Sequence, residues 1–98
     1  MNEAPSILIV EDDADLSDVM ASYLGLRGYV CVQAYSGSEA ALRCAQPARA
    51  GLPFDVIVSD LMLPGLSGEE LIASLRAESD IPIIVVSAKG AILYTGVK

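Results

Sequence analysis

The sequence predicts an α/β protein, a parallel sheet with helices on both faces. Two observations carry that expectation. Short apolar runs, Ile7-Leu8-Ile9-Val10, Val56-Ile57-Val58 and Ile83-Ile84-Val85-Val86, have no polar alternation and are rich in branched residues. That is the signature of strands buried on both faces. Between the runs lie segments of helical period joined by connections of a few residues, an order βαβαβαβ that gives parallel strands with crossover helices.

The elements follow in turn. Ser6–Val10 reads as the first strand. Leu16, Val19, Met20, Tyr23 and Leu24 then recur at i, i+3, i+4, i+7 and i+8, one apolar stripe of a helix. Asp13 or Asp15 can cap its start, and Gly25 and Gly28 mark its end. Tyr29–Tyr35 is rich in β formers and is the second strand. Ser36 and Glu39 have capping-box spacing and open a second helix with a small-residue face of Ala40, Ala41, Leu42, Cys44 and Ala45. Pro47 ends that helix, and residues 47–53 form a loop. Phe54–Ser59 is the third strand. Ser67-Gly68-Glu69-Glu70 is a second capping box, opening a helix that carries Leu71, Ile72 and Leu75. Ile81–Ser87 is the fourth strand, with Pro82 tolerable near its start. Residues 91–98 lack helical period and read as a strand that Lys89-Gly90 could turn back antiparallel along the fourth.

Composition narrows the function. Ninety-eight residues make one domain, with 53% hydrophobic and 19% charged residues, a globular balance. Thirteen acids against six Lys and Arg give a net charge of −7, which argues against a nucleic-acid surface on this chain. There is no histidine, so His-based catalysis is excluded. Cys31 and Cys44 match no metal or CxxC spacing and read as buried free thiols. No basic signal region or membrane-length apolar stretch is visible, and the expectation is a cytoplasmic, soluble protein.

Acids end two of the apolar runs. Glu11-Asp12-Asp13 follows the first strand and Asp60 ends the third. In a parallel sheet both lie at the carboxyl edge, where ligands bind. Carboxylates gathered there repel one another unless a cation joins them. Mg²⁺ takes hard oxygen ligands, commonly one or two carboxylates plus a phosphate. Asp12 and Asp60 fit that role, Glu11 could act through a bound water, and the Met62 carbonyl could supply a further oxygen. A carboxylate can also attack phosphorus to give an aspartyl phosphate. Ser87, ending the neighbouring strand, could hydrogen-bond a phosphoryl oxygen. A nucleotide-binding reading of the first turn fails, because acids stand where a Gly-rich phosphate cradle is needed.

Three stretches in this order, Ile7-Leu8-Ile9-Val10-Glu11-Asp12-Asp13, Val56–Gly68 with Asp60-Leu61-Met62-Leu63-Pro64-Gly65 inside it, and Ile81–Ala88, resemble the receiver domain of two-component response regulators. The wording around Asp60 is most similar to regulators with a winged-helix DNA-binding output. The resemblance implies a flavodoxin-like sheet of strand order 2-1-3-4-5. It implies Asp60 as phosphoacceptor, Glu11 and Asp12 as the Mg²⁺-holding acids with Asp12 the direct ligand, the Met62 carbonyl as a further ligand, and Ser87 as the switch hydroxyl. The implied donor is a histidine kinase or a small acyl phosphate. Any enzymatic activity is confined to the receiver's own phosphorylation and dephosphorylation.

The chain departs from that family at its end. Residues 6–90 are expected to be a receiver domain that is C-terminally incomplete, and 91–98 an atypical tail. A complete receiver would run roughly 20–25 residues further, through a fourth helix, fifth strand and fifth helix. The family's late lysine followed by proline is missing, and Lys98 is the remaining candidate for the lysine. Uncovering even ~300 Å² of apolar surface costs about 7 kcal/mol, so a lone monomer is expected to be unstable. The remedies are an antiparallel edge strand from the tail or pairing between copies at the bare edge of the fourth strand. The alternative function is therefore a receiver fragment that self-associates as a homo-oligomer through its sheet edge and does not signal. A metal-dependent phosphohydrolase is a weaker reading, since Met62 stands where a second aspartate would be needed.

Overall fold

The computed structural model describes residues 4–44, 54–60, 68–77, 81–86 and 92–95. Five strands and three helices run in the order β1 (Ser6–Val10), α1 (Ala14–Leu26), β2 (Val30–Ala34), α2 (Gly37–Cys44), β3 (Val56–Asp60), α3 (Gly68–Arg76), β4 (Ile83–Val86) and β5 (Ile92–Thr95). They form one sheet of order β2-β1-β3-β4-β5. The first four strands are parallel, and β5 runs antiparallel to β4 with Val86 opposite Ile92.

β1 lies inside the sheet, between β2 and β3, and is buried on both faces, as its unbroken apolar run requires. Leu8 and Val10 turn to one face, where they join Ile57, Ile83, Val85, Ala34 and the helix residues Ala40, Cys44, Leu71 and Leu75 in the main core. α2 and α3 cover that face, and α1 packs against β1 and β2 from the other. Ile9 is fully buried on the α1 side. The same face of β3 and β4 is only half-buried at Val56, Val58, Ile84 and Val86.

The helix ends are set by the residues that the sequence offers. Asp13 caps α1, its Oδ1 accepting the Leu16 N–H at 3.1 Å. Asp15 does not cap but lies in the first turn, where its charge suits the helix dipole. At the other end the Tyr29 N–H donates to the Leu24 carbonyl and the Gly28 N–H to that of Gly25. Gly28 has φ +98°, a conformation that disfavours any side chain. Ser36 Oγ accepts the Glu39 N–H at 3.0 Å and opens α2. The Glu39 carboxylate reaches back to the Tyr35 N–H at 2.8 Å, one residue beyond a regular capping box, and its other oxygen pairs with Arg43. Ser36→Ala should cost about 1 kcal/mol, read as a lowered urea midpoint with unchanged slope.

Two expectations need correction, and a choice between two others is decided. The stripe of α1 is turned: Leu16, Val19 and Tyr23 are exposed, while Met20 and Leu24 are half-buried. The buried residue of α1 is Ser17, whose Oγ accepts a hydrogen bond from Gln33 Nε2 at 2.9 Å. A small side chain lets the helix sit close to β2, and that contact decides which face turns inward. The second, third and fourth strands are also shorter or shifted at their ends, because Tyr29, Tyr35, Phe54 and Ile81 lie outside the ladders. Finally, of the two arrangements expected at the edge of the fourth strand, the antiparallel strand from the tail is the one observed, and the edge is not bare. β5 occupies its outer side, so among the described residues the open edges of the sheet are those of β5 and β2.

Cys31 and Cys44 are free, Cys44 buried and Cys31 half-buried, and burial pushes both thiols up from their ordinary value. Neither is poised as a thiolate. Among the described residues no helix is long and apolar enough to cross a membrane.

Candidate functional site

The site is built by strand ends. β1 and β3 are neighbours in register, with Val10 opposite Ser59, so Glu11 and Asp60 emerge level at the carboxyl edge. The Glu11 N–H donates to the Ala34 carbonyl at 3.0 Å, which extends the β1–β2 ladder one residue beyond the strand. That bond fixes the backbone from which the next two acids project. The Glu11 carboxylate folds back, Oε2 accepting the Asp13 N–H at 3.1 Å. Asp13 is spent on capping α1 and stands apart from the cluster. Asp12, between them, is exposed.

One carboxylate oxygen from each of Glu11, Asp12 and Asp60 lies within 4.8 Å of the others. Glu11 is buried, Asp60 half-buried and Asp12 exposed. Burial pushes the Glu11 carboxyl above its ordinary value. The Asp13 N–H opposes the shift, and the charges of Asp60 and Asp12 add to it. Such a cluster favours a cation, because a positive ion offsets the burial and the mutual repulsion that disfavour the charged carboxylates. The donors are all carboxylate oxygens, which suits a hard divalent ion such as Mg²⁺ rather than zinc.

Asp60 is also the register partner of Val86, the last residue of β4. The side chain of Ser59, before it, is buried and donates to the Asp60 carbonyl at 3.0 Å. Of the residues expected at the site, Glu11, Asp12 and Asp60 come together. Met62 and Ser87 lie outside the described residues, as do Lys89 and Lys98. Sequence reasoning missed Gln33 and Ser17. Gln33 Nε2 donates to Ser17 Oγ and to Asp18 Oδ1, both at 2.9 Å, and ties the start of α1 to the end of β2 beside the acid loop. No periodic or compositional signal marks a polar residue used in this way.

Comparison with known proteins agrees with this geometry. A family model of the response regulator receiver domain matches residues 7–96. The chain is 40% identical over 84 residues to the sensory transduction protein RegX3 of Mycobacterium bovis, covering 86% of this chain and 35% of that protein. It is 40% identical over 91 residues to the transcriptional activator protein PfeR of Pseudomonas aeruginosa, covering 90% of this chain and 27% of that one. The chain thus spans about a third of the length of these curated relatives. Among solved structures, the receiver domain of the Francisella response regulator 1452 superposes with TM-score 0.76 at 29% identity, over 86% of this chain and 66% of that one. The response regulator TrrA of Thermotoga maritima, in complex with Mg²⁺-BeF, superposes with TM-score 0.76 at 27% identity, over 86% of this chain and 70% of that one. The flavodoxin-like sheet, its strand order and the matched residues agree, and the chain belongs to the response regulator receiver family.

Proposed function

We propose that this chain is a phosphoacceptor module of a two-component system, accepting a phosphoryl group on Asp60 with Mg²⁺ held by Glu11, Asp12, Asp60 and the Met62 carbonyl. The observation that carries the reading is the convergence of three carboxylates, one of them ending β3, at the carboxyl edge of a receiver-type sheet. The solved TrrA structure, which holds Mg²⁺-BeF, lends support by likeness of fold.

An Asp60 carboxylate oxygen attacks phosphorus as the bond from phosphorus to the donor's nitrogen or oxygen breaks, and the leaving group takes the electron pair. Bound Mg²⁺ would supply charge neutralisation on the phosphoryl oxygens. Glu11 and Asp12 hold the negative field that recruits the cation, and the bond from Glu11 to the Asp13 N–H keeps its carboxylate oriented. Ser87 is assigned the switch hydroxyl that answers phosphorylation. The donor is a histidine kinase or a small acyl phosphate. Transcriptional regulators among the relatives support control of a DNA-binding output, with this acidic chain making no nucleic-acid contact itself. The setting that fits is cytoplasmic.

The second reading is a receiver fragment that does not signal and self-associates through its sheet edge. What favours it is that, among the described residues, no strand pairs with the outer side of the four-residue β5. Acetyl phosphate with Mg²⁺ separates the two. A mass gain of roughly 80 Da, the weight of one phosphoryl group on a carboxylate, should appear in the wild type and vanish in Asp60→Asn. No gain at saturating donor would leave the fragment reading standing.

A further inference from the structure

Asp60 and Asp12 reach the acid cluster by different routes. Asp60 is the last residue of β3 and is placed by the sheet, level with Val86 of β4. Asp12 stands in the turn between β1 and α1. Its position depends on what holds the residues on either side of it. Glu11 is held by its N–H, which donates to the Ala34 carbonyl at 3.0 Å. Asp13 is held by its carbonyl, which accepts the Ser17 N–H at 2.9 Å. The first anchor is on β2. The second is on α1, and is only as firm as the seat of that helix.

Ser17 supplies the seat. It is the buried residue of α1, and its Oγ accepts a hydrogen bond from Gln33 Nε2 at 2.9 Å. Gln33 is the residue before Ala34, so both anchors of the acid turn lead to adjacent positions of one strand. The same amide donates to Asp18 Oδ1, also at 2.9 Å, so both of its hydrogens grip the start of α1. Apolar contact between a helix and a sheet is non-directional and leaves the helix free to shift along the strands. A hydrogen bond from a strand side chain has a preferred length and angle, and fixes where the helix stops.

We propose that Gln33 is a positioning residue for the cation site: through Ser17 its amide fixes the start of α1, and so sets Asp12 against Glu11 and Asp60. The inference rests on the reading of these three acids as the Mg²⁺ site. Gln33 acts on them only through the helix and the turn. A small hard cation demands near-ideal placing of its oxygen ligands. Loss of a hydrogen bond behind a metal ligand commonly weakens binding roughly ten- to a hundredfold.

Titration calorimetry of Mg²⁺ into the whole chain, with no phosphoryl donor present, tests this. Gln33→Met keeps the length of the side chain and removes both donors. Ser17→Ala removes the acceptor without adding bulk. Each should weaken Mg²⁺ binding about tenfold, with unchanged circular dichroism. The double variant should bind no more weakly than Gln33→Met alone, because both changes remove the same bond. Asp18→Ala, which loses the exposed bond only, should weaken binding less than Ser17→Ala does. Ile57→Val, a core change away from α1, should lower the urea midpoint and leave the affinity unchanged. Asp60→Asn marks the site and should weaken binding. If it does, and neither Gln33→Met nor Ser17→Ala has an effect, the positioning role is overturned while the reading of the site stands. A wild type that binds no Mg²⁺, or one indifferent to Asp60→Asn, overturns that reading and this inference together. Equal weakening by Ile57→Val would make the effect of Gln33 one of stability alone, and overturns the positioning role.

Discussion

Ile57→Ala should remove about 2–5 kcal/mol, most of the stability of a domain this small. Ile57 is fully buried in the middle of β3, paired with Leu8 of β1 on one side and Ile83 of β4 on the other. Its side chain lies in the core that α2 and α3 close. Removing it takes away transfer energy and leaves a cavity that two flanking strands cannot collapse into, an effect of about 2–5 kcal/mol. A domain of this size has about 5–15 kcal/mol in total and sits toward the low end, because short chains bury a smaller share of their surface. Half-buried strand residues on the α1 side of β3 and β4 reduce the margin further. Ile57→Val, which keeps the branch and loses one methyl, should cost about 0.5–1.5 kcal/mol and remain folded. Urea unfolding followed by circular dichroism reads both. A folded Ile57→Ala with an unchanged midpoint would mean that the α2–α3 face is not the core.

The fold was legible where one physical rule decided the outcome. An unbroken branched run such as Ile7–Val10 can be satisfied only between two covered faces, and β1 is that strand. Asp13 and Ser36 were legible as caps because an acceptor side chain one turn ahead of a free N–H has little else to do. Glu11, Asp12 and Asp60 were legible as a cluster because parallel strands bring their carboxyl ends together whatever the loops do. The orientation of α1 was not. Residues 16–26 carry two adjacent stripes about a third of a turn apart, and hydropathy sums them into one. The choice between them is made by Ser17, a polar residue that apolar periodicity passes over, and by Gln33, which binds it from another element. A hydrogen bond across 16 positions of sequence leaves no periodic trace. The tail, by contrast, was legible: residues 91–98 lack helical period and read as a strand antiparallel to the fourth, and β5 pairs with β4 in that sense.

Mg²⁺ should stabilise the folded chain, and the effect should fade as pH falls. The sign follows from Glu11. Its carboxyl is held above the ordinary value of 4.5, first by burial, with the charges of Asp60 and Asp12 adding to it against the Asp13 N–H. A raised carboxyl means that the folded protein keeps a proton which the unfolded chain has already released. Without a cation, the contribution of Glu11 to stability therefore falls as pH rises from about 4.5 through the folded value, and levels off above it. Mg²⁺ reverses the balance, since it binds the ionised carboxylate and so favours loss of the proton. At neutral pH a free ion concentration tenfold above its dissociation constant adds about 1.4 kcal/mol, read as a raised unfolding temperature. Near pH 4.5 the same concentration should add much less. Glu11→Gln should flatten the cation-free pH dependence and weaken the response to Mg²⁺ together, because one carboxylate produces both. Asp60→Asn should raise stability without the ion and lower the gain with it, by relieving the repulsion that the ion otherwise offsets. A cation-free pH dependence that Glu11→Gln leaves unchanged across this window would remove Glu11 from the cluster. A response to Mg²⁺ untouched by either substitution would place the ion elsewhere on an acidic surface.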